Sequence, residues 1–167
     1  KWLLKAAEQG DTNAMYHIGD MYEFGSGVKK DPSVAIQWFL KAAEQGDADS
    51  QVRVGTMYYD GVGVTENNAE ALKWYHKAAD QGNAVAQSSI GRMYYYGNGV
   101  PKDYSTAFKW YLKAAENGNV YAPFTVAEMY EKGQGVEKNI DKAVYWYKKG
   151  AEKNRNDCKE ALKRLGY

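Results

Sequence analysis

Two histidines, one cysteine, four Gly-x-Gly pairs and a few paired carboxylates are the residues of this 167-residue chain whose types do chemistry. A Gly-x-Gly cradles a phosphate when it follows a strand, opens a helix and is completed by a third glycine. Here the pairs Gly25/Gly27, Gly61/Gly63, Gly97/Gly99 and Gly133/Gly135 follow helical patterns, lack the third glycine and recur four times, so they read as connector turns. His17 and His76 stand in different segments, with no metal-ligand or nucleophile spacing around them, and are expected at the surface. Cys158 falls in register with Ala14, Ser50, Ala86 and Ala122, which makes it a small residue where helices meet, with a reactive thiol as the alternative. Asp20 with Asp60, and Glu128 with Glu131, are the only carboxylate pairs to suggest general acid–base work. The expectation is no catalytic residue, no metal and no cofactor.

Composition narrows the partners. Twenty-two basic against twenty-one acidic residues leave a net charge of +1, too little field to gather nucleic acid. No apolar run approaches the ~20 residues of a membrane span, so no membrane insertion is expected. A single cysteine excludes an internal disulfide framework. The chain opens with KWLLKAAEQG, inside the pattern described next, as expected of a fragment, and its compartment is not legible.

That pattern is a repeat. Trp2, Trp38, Trp74, Trp110 and Trp146 are spaced by 36, as are Lys5, Lys41, Lys77, Lys113 and Lys149, which open the KAAEQG frame. The stretches MYEFGSGV, MYYDGVGV, MYYYGNGV and MYEKGQGV keep the same period, with no insertion or deletion. Each period reads as two helices. Helix A starts from an N-cap such as Asp11, and its small and apolar residues at Ala14, Ile18, Met21 and Tyr22 make one buried stripe. Gly19, Gly55 and Gly91 inside it cost about 1 kcal/mol each against alanine, which points to a second helix packed closely there. Gly25 and Gly27 end helix A. Asp31, Asn67, Asp103 and Asn139 cap helix B, whose apolar face runs through Ala35, Trp38, Phe39, Ala42 and Ala43, with the five tryptophans expected in the core. Neither helix pair can bury its face alone, so the pairs must stack. The expected fold is all-α: a right-handed superhelical α-solenoid of helix-turn-helix repeats. It forms one array, with a partial repeat at 1–10 (helix B only), full repeats at 11–46, 47–82, 83–118 and 119–154, and a polar capping helix at 155–167.

The recurring frame resembles the Sel-1-like repeat family, a relative of the tetratricopeptide repeat, over essentially the whole chain. The resemblance implies a helical superhelix whose concave surface, lined by helix A, serves as an adaptor for protein complexes, without a single shared activity. The cysteine-rich branch of the family carries a disulfide in each repeat where this chain has alanines such as Ala43 and Ala79, so a hydrolase-like or small-ligand role is only a remote alternative. Ala127, Gly150 and Asn154 depart from the frame and imply altered packing near the C-terminal end.

By analogy with the tetratricopeptide groove, the residues that vary within helix A are the candidates for binding. They bring Tyr59, Val85, Arg92, Tyr95, Tyr96, Tyr121, Phe124 and Glu128 to the groove, with Asp20, Glu23, Asp49 and Asp60 as an acidic flank. Tyrosine and arginine are the types enriched in binding hot spots. Two readings stay open, an aromatic ligand band and aromatic packing between adjacent repeats. The expected function is a non-enzymatic scaffold that takes a protein or peptide segment with apolar and basic side chains. The alternative is a structural segment, or one that self-associates through the unpaired first helix with Trp2 and Leu3.

Overall fold

The computed structural model describes residues 2–167; Lys1, the first residue of the expected partial repeat, lies outside them. Ten helices follow in order, α1(Trp2–Glu8), α2(Thr12–Phe24), α3(Pro32–Glu44), α4(Ala48–Asp60), α5(Asn68–Asp80), α6(Ala84–Tyr96), α7(Tyr104–Glu116), α8(Ala122–Lys132), α9(Ile140–Glu152) and α10(Asn156–Arg164). No strand occurs among the described residues, and the all-α repeat class read from the sequence is the fold. The chain forms two compact units, 1–81 with α1 to α5 and 82–167 with α6 to α10. In the first, α2 packs on α3 and α4 on α5, with α1 against α2 and α3 against α4; in the second, α6 packs on α7 and α8 on α9, with α7 against α8 and α9 against α10.

The caps form as the residue types dictate. The carboxylates of Asp11 and Asp47 accept the backbone N–H of Ala14 and Ser50 at 3.0 and 2.7 Å. Asp31, Asn67, Asp103 and Asn139 cap the B helices in the same way. Such a cap contributes about 1 kcal/mol. Gly25, Gly61, Gly97 and Gly133 close the A helices in the left-handed conformation. The fourth A helix departs from the plan: α8 starts two positions later than its counterparts and has 11 residues instead of 13. Pro123 lies in its first turn and lacks the N–H that Met15, Gln51 and Gln87 donate, at the same position of the other repeats, to the carbonyl of the capping residue. Asn119 still caps the backbone there, its side-chain oxygen accepting from the N–H of Tyr121 and Ala122, both at 2.9 Å.

The core corrects one expectation. Of the five tryptophans only Trp74 is buried, Trp38, Trp110 and Trp146 are half-buried, and Trp2 is 85 % exposed. The buried aromatic in every repeat is the next residue, with Phe39, Tyr75 and Tyr147 fully covered and Tyr111 nearly so. One residue is a 100° step around a helix, and that step turns Phe39, Tyr75 and Tyr111 onto the glycine of the paired A helix. A β-carbon on Gly19 or Gly55 would come within 2.6 or 2.8 Å of the Phe39 or Tyr75 ring. The tryptophan lies one step away, with the lysine three residues on over its ring, at 4.2 Å for Lys41 over the half-buried Trp38 and 3.6 Å for Lys77 over the buried Trp74. Cation and indole then cover one another.

Candidate functional site

The variable helix A residues divide between the units. Tyr59, with Asp20, Glu23, Asp49 and Asp60, belongs to the first, and Val85, Arg92, Tyr95, Tyr96, Tyr121, Phe124 and Glu128 to the second. In the second unit Tyr95 and Tyr96 from α6, and Phe124 and Glu128 from α8, line one concavity together with Tyr111, Thr125 and Met129. Phe124 and Glu128 also form the wall of a larger cleft of about 460 Å³ that runs on to Glu131, Lys132, Tyr147, Asp157, Glu160, Ala161 and Arg164.

Within this surface the aromatics have different roles. Tyr95 is half-buried, its ring 4.9 Å from that of Tyr104 and 5.0 Å from that of Tyr96, and its hydroxyl donates to Gln134 Oε1 at 3.2 Å. Tyr96 is 63 % exposed. Phe124 is half-buried, 5.7 Å from the Tyr147 ring. Tyr121 is exposed beside the start of α10, with the Arg155 guanidinium 4.4 Å from its ring. Val85 and Arg92 are exposed on α6 outside either concavity. Packing between repeats and exposed contact surface are thus both present, on different residues.

Glu128, Glu131, Glu23 and Asp20 each face a cation. Glu128 pairs with Lys132 at 2.7 Å. Glu131 accepts two hydrogen bonds from Arg164, at 2.7 and 2.8 Å, and a third from the Tyr147 hydroxyl at 2.8 Å. Arg164 first, and Tyr147 after it, hold the Glu131 carboxyl below its usual range, while burial and that same bond drive the Tyr147 hydroxyl far upward. In the first unit Arg53 pairs with Glu23, lies 3.9 Å from Asp20, and sits 5.7 and 5.4 Å from the rings of Phe24 and Phe39. The acidic flank read from the sequence therefore carries its own cation there. Asp49 lines a small surface hollow with Asn13, Tyr16, His17 and Asp47, and Asp60 is exposed at the end of α4. Sequence reading missed Arg53, Arg155, Arg164 and Tyr147 as participants, because each lies in a slot that the other repeats fill with unrelated residues or with core. A signal existed in the recurrence of glutamate at positions 23 and 131, three periods apart.

No group of three or more His, Cys, Asp and Glu side chains among the described residues is arranged to hold a metal ion. No helix among them is long and apolar enough to cross a membrane. His17 is exposed and His76 half-buried. Cys158 is fully buried, and burial first, with Asp157 second, pushes its thiol up to about 12.

Comparison with known proteins places this architecture. The chain is similar to a protective antigen present in uropathogenic Escherichia coli strains that displays an SLR fold, with 43% identity and a TM-score of 0.87 over 91% of this chain and 32% of that one. It is similar to a Sel1 repeat protein from Oxalobacter formigenes, with 41% identity and a TM-score of 0.83 over 90% of this chain and 62% of that one. An immunity protein from Pseudomonas aeruginosa is 27% identical with a TM-score of 0.59, over 89% of this chain and 55% of that one. The chain thus spans less than two thirds of each of these proteins. A comparison with curated proteins finds no match. The family description Sel1 repeat matches residues 1–11, 12–47, 48–83, 84–119 and 124–154. With that match covering most of its length, the chain belongs to the Sel1 repeat family.

Proposed function

We propose that the chain is a non-enzymatic interaction module that holds a peptide or protein segment on its helix A surface, with the second unit as the main contact. Sel1 repeat proteins are generally protein-interaction scaffolds, which supports the general class. The observation that carries the specific reading is that variable residues of two different repeats, Tyr95 and Tyr96 with Phe124 and Glu128, line one surface concavity. A scaffold keeps its frame constant and places its variable side chains where a partner meets them. The half-buried rings of Tyr95 and Phe124 give a preformed apolar floor, and the exposed Tyr96 gives a contact that loses little conformational entropy on binding. An open surface with ion-paired carboxylates does not provide the water-excluded cleft and free base that catalysis would need.

The test is partner capture from the native source with the Tyr96→Ala variant. Tyr96 is exposed, so its removal leaves the fold intact, and capture is expected to fall by about tenfold or more, as for a hot-spot tyrosine. Tyr95→Phe, which removes only the hydroxyl bonded to Gln134, is expected to bind nearly as well. Unchanged capture by Tyr96→Ala together with Phe124→Ala would remove the proposal.

A second reading rests on α1, where Trp2, Leu3 and Leu4 are 85, 38 and 47 % exposed. Association of copies through this face predicts a concentration-dependent sedimentation coefficient that Leu4→Lys abolishes. A concentration-independent monomer would exclude it.

A further inference from the structure

The cleft between α8 and α10 contains a ligand arrangement already made by the chain itself. Glu131 receives a guanidinium through two parallel hydrogen bonds from Arg164, the fork geometry that distinguishes arginine from lysine. The Tyr147 side chain, 1 % exposed, sends its hydroxyl to the same carboxylate and fixes its orientation from below. Part of the arrangement recurs in the first unit, with a single hydrogen bond from arginine and no hydroxyl on the ring. Glu23 lies three 36-residue periods before Glu131, and Phe39 three before Tyr147, and there too the glutamate holds an arginine beside the aromatic ring.

The two arginines arrive by different routes. Arg53 occupies the helix A position of His17, and Arg164 the position of Asp20, so the glutamate and the ring stay constant while the guanidinium comes from elsewhere in the helix. They also differ in cover. The Arg53 side chain is 26 % exposed, between Phe24 and Phe39, whereas that of Arg164 is 58 % exposed at the end of the last helix. Arg53 is mostly covered, and Arg164 is open to solvent. Around it the cleft has four carboxylates, Glu128, Glu131, Asp157 and Glu160, against two cations, Lys132 and Arg164. With Asp157 paired to Arg155, departure of Arg164 would leave a surplus of two negative charges in a cleft that Phe124 also lines.

We infer that Glu131, oriented by Tyr147, is a guanidinium receptor, and that an arginine side chain of the bound segment occupies it in exchange for Arg164. This rests on the peptide-binding reading and adds the chemistry of one anchor. Arg164 serves as the internal occupant that keeps the carboxylate paired when no partner is present, and it weakens binding by competing for it.

The test uses N-acetyl-arginine amide, with N-acetyl-citrulline amide as the neutral compound of the same shape, titrated into the full chain and followed by backbone amide NMR. In Arg164→Ala, the arginine compound is expected to give saturable shifts at Phe124, Glu131 and Ala161, with at least about tenfold weaker response to citrulline. The unsubstituted protein should bind it more weakly, because Arg164 competes, and Glu131→Gln in the Arg164→Ala background should abolish the shifts. Arg164→Gln, which keeps the length of the side chain, gives the same reading if the alanine variant loosens α10. Absence of saturable shifts in both Arg164 variants, or an equal response to citrulline, overturns the receptor. The compound does not use Tyr96, so arginine binding with unchanged partner capture by Tyr96→Ala together with Phe124→Ala would retain the receptor and remove the groove.

Discussion

The sulfur of Cys158 fills the space beside Gly150 that a β-carbon would need, and Cβ of Cys158 itself would lie 3.3 Å from such an atom. In the preceding repeat the same two positions are Ala114 and Ala122, both fully buried. A larger side chain on α10 is matched by a smaller one on α9.

Gly150→Ala alone is expected to destabilise the protein by about 1 to 3 kcal/mol through overpacking. Adding Cys158→Ala restores the alanine pair of the preceding repeat and should recover much of that loss. Urea denaturation of the two single variants and the double variant gives the coupling, and strict additivity would contradict the packing described. The same burial predicts that the Cys158 thiol, pushed up to about 12, reacts with a thiol reagent at pH 8 only as fast as the end of the chain opens. Labelling as rapid in native protein as in urea would contradict it.

The second glycine of each Gly-x-Gly is set by two separate demands. Gly27 and Gly63 have nearly the same left-handed backbone, with φ of 75° and 74°. A β-carbon on Gly63 would overlap the carbonyl of Pro32 in the preceding repeat, whereas on Gly27 the nearest atom is Met21 Cε at 3.7 Å. Gly27→Ala should therefore cost only the conformational strain of about 1 to 2 kcal/mol. Gly63→Ala should cost distinctly more, and equal denaturation midpoints would show that the repeat contact does not matter.

Trp74→Ala is expected to cost about 3 to 5 kcal/mol, since the ring is buried among Phe39, Val54 and Met57. Trp2→Ala removes an exposed ring from a terminal helix and should change stability within about 0.5 kcal/mol. Thermal melts of both distinguish this graded use of the tryptophans from the uniform core that their period suggests.

Glu131 makes a pH prediction with a definite sign. Its folded pKa is below the unfolded value, so the folded state binds fewer protons, and its contribution is present above about pH 4.3 and lost as pH falls through the folded value. Asp31, Asp103 and Asp157 are shifted the same way, Asp31 and Asp103 by side-chain hydrogen bonds from Ser33 and Thr106, and Asp157 by one from Arg155. Glu131→Gln should make the fall in melting temperature between pH 7 and 3 shallower without removing it. An unchanged acid limb would mean that the Arg164 pair adds nothing to folding.

Local chemistry made most of the fold legible. Asp11, Asp31, Asn67, Asp103 and Asn139 are caps by residue type, and Gly25, Gly61, Gly97 and Gly133 are helix ends because only glycine enters the left-handed region without cost. A slot that recurs every 36 residues identifies these without knowledge of any contact. The candidate site was legible only in part. Variation marked Tyr95, Tyr96, Phe124 and Glu128, but the partner that each side chain takes depends on residues far away in the chain. Glu131 holds a guanidinium because Arg164 reaches it, and Tyr95 is half packing because of Tyr104 and Gln134.

The sequence by itself determined the helices, nearly all their ends and the repeat, because these follow from short-range backbone preferences read at a fixed period; the start of α8 is the exception. Only the tertiary structure decided which aromatic of each Trp-aromatic pair is core, why Gly63 needs to be glycine, and which cations close on the acidic side chains. Those outcomes follow from a 100° turn between neighbours on a helix and from close approach of segments about 30 residues apart, neither of which is written in any single repeat.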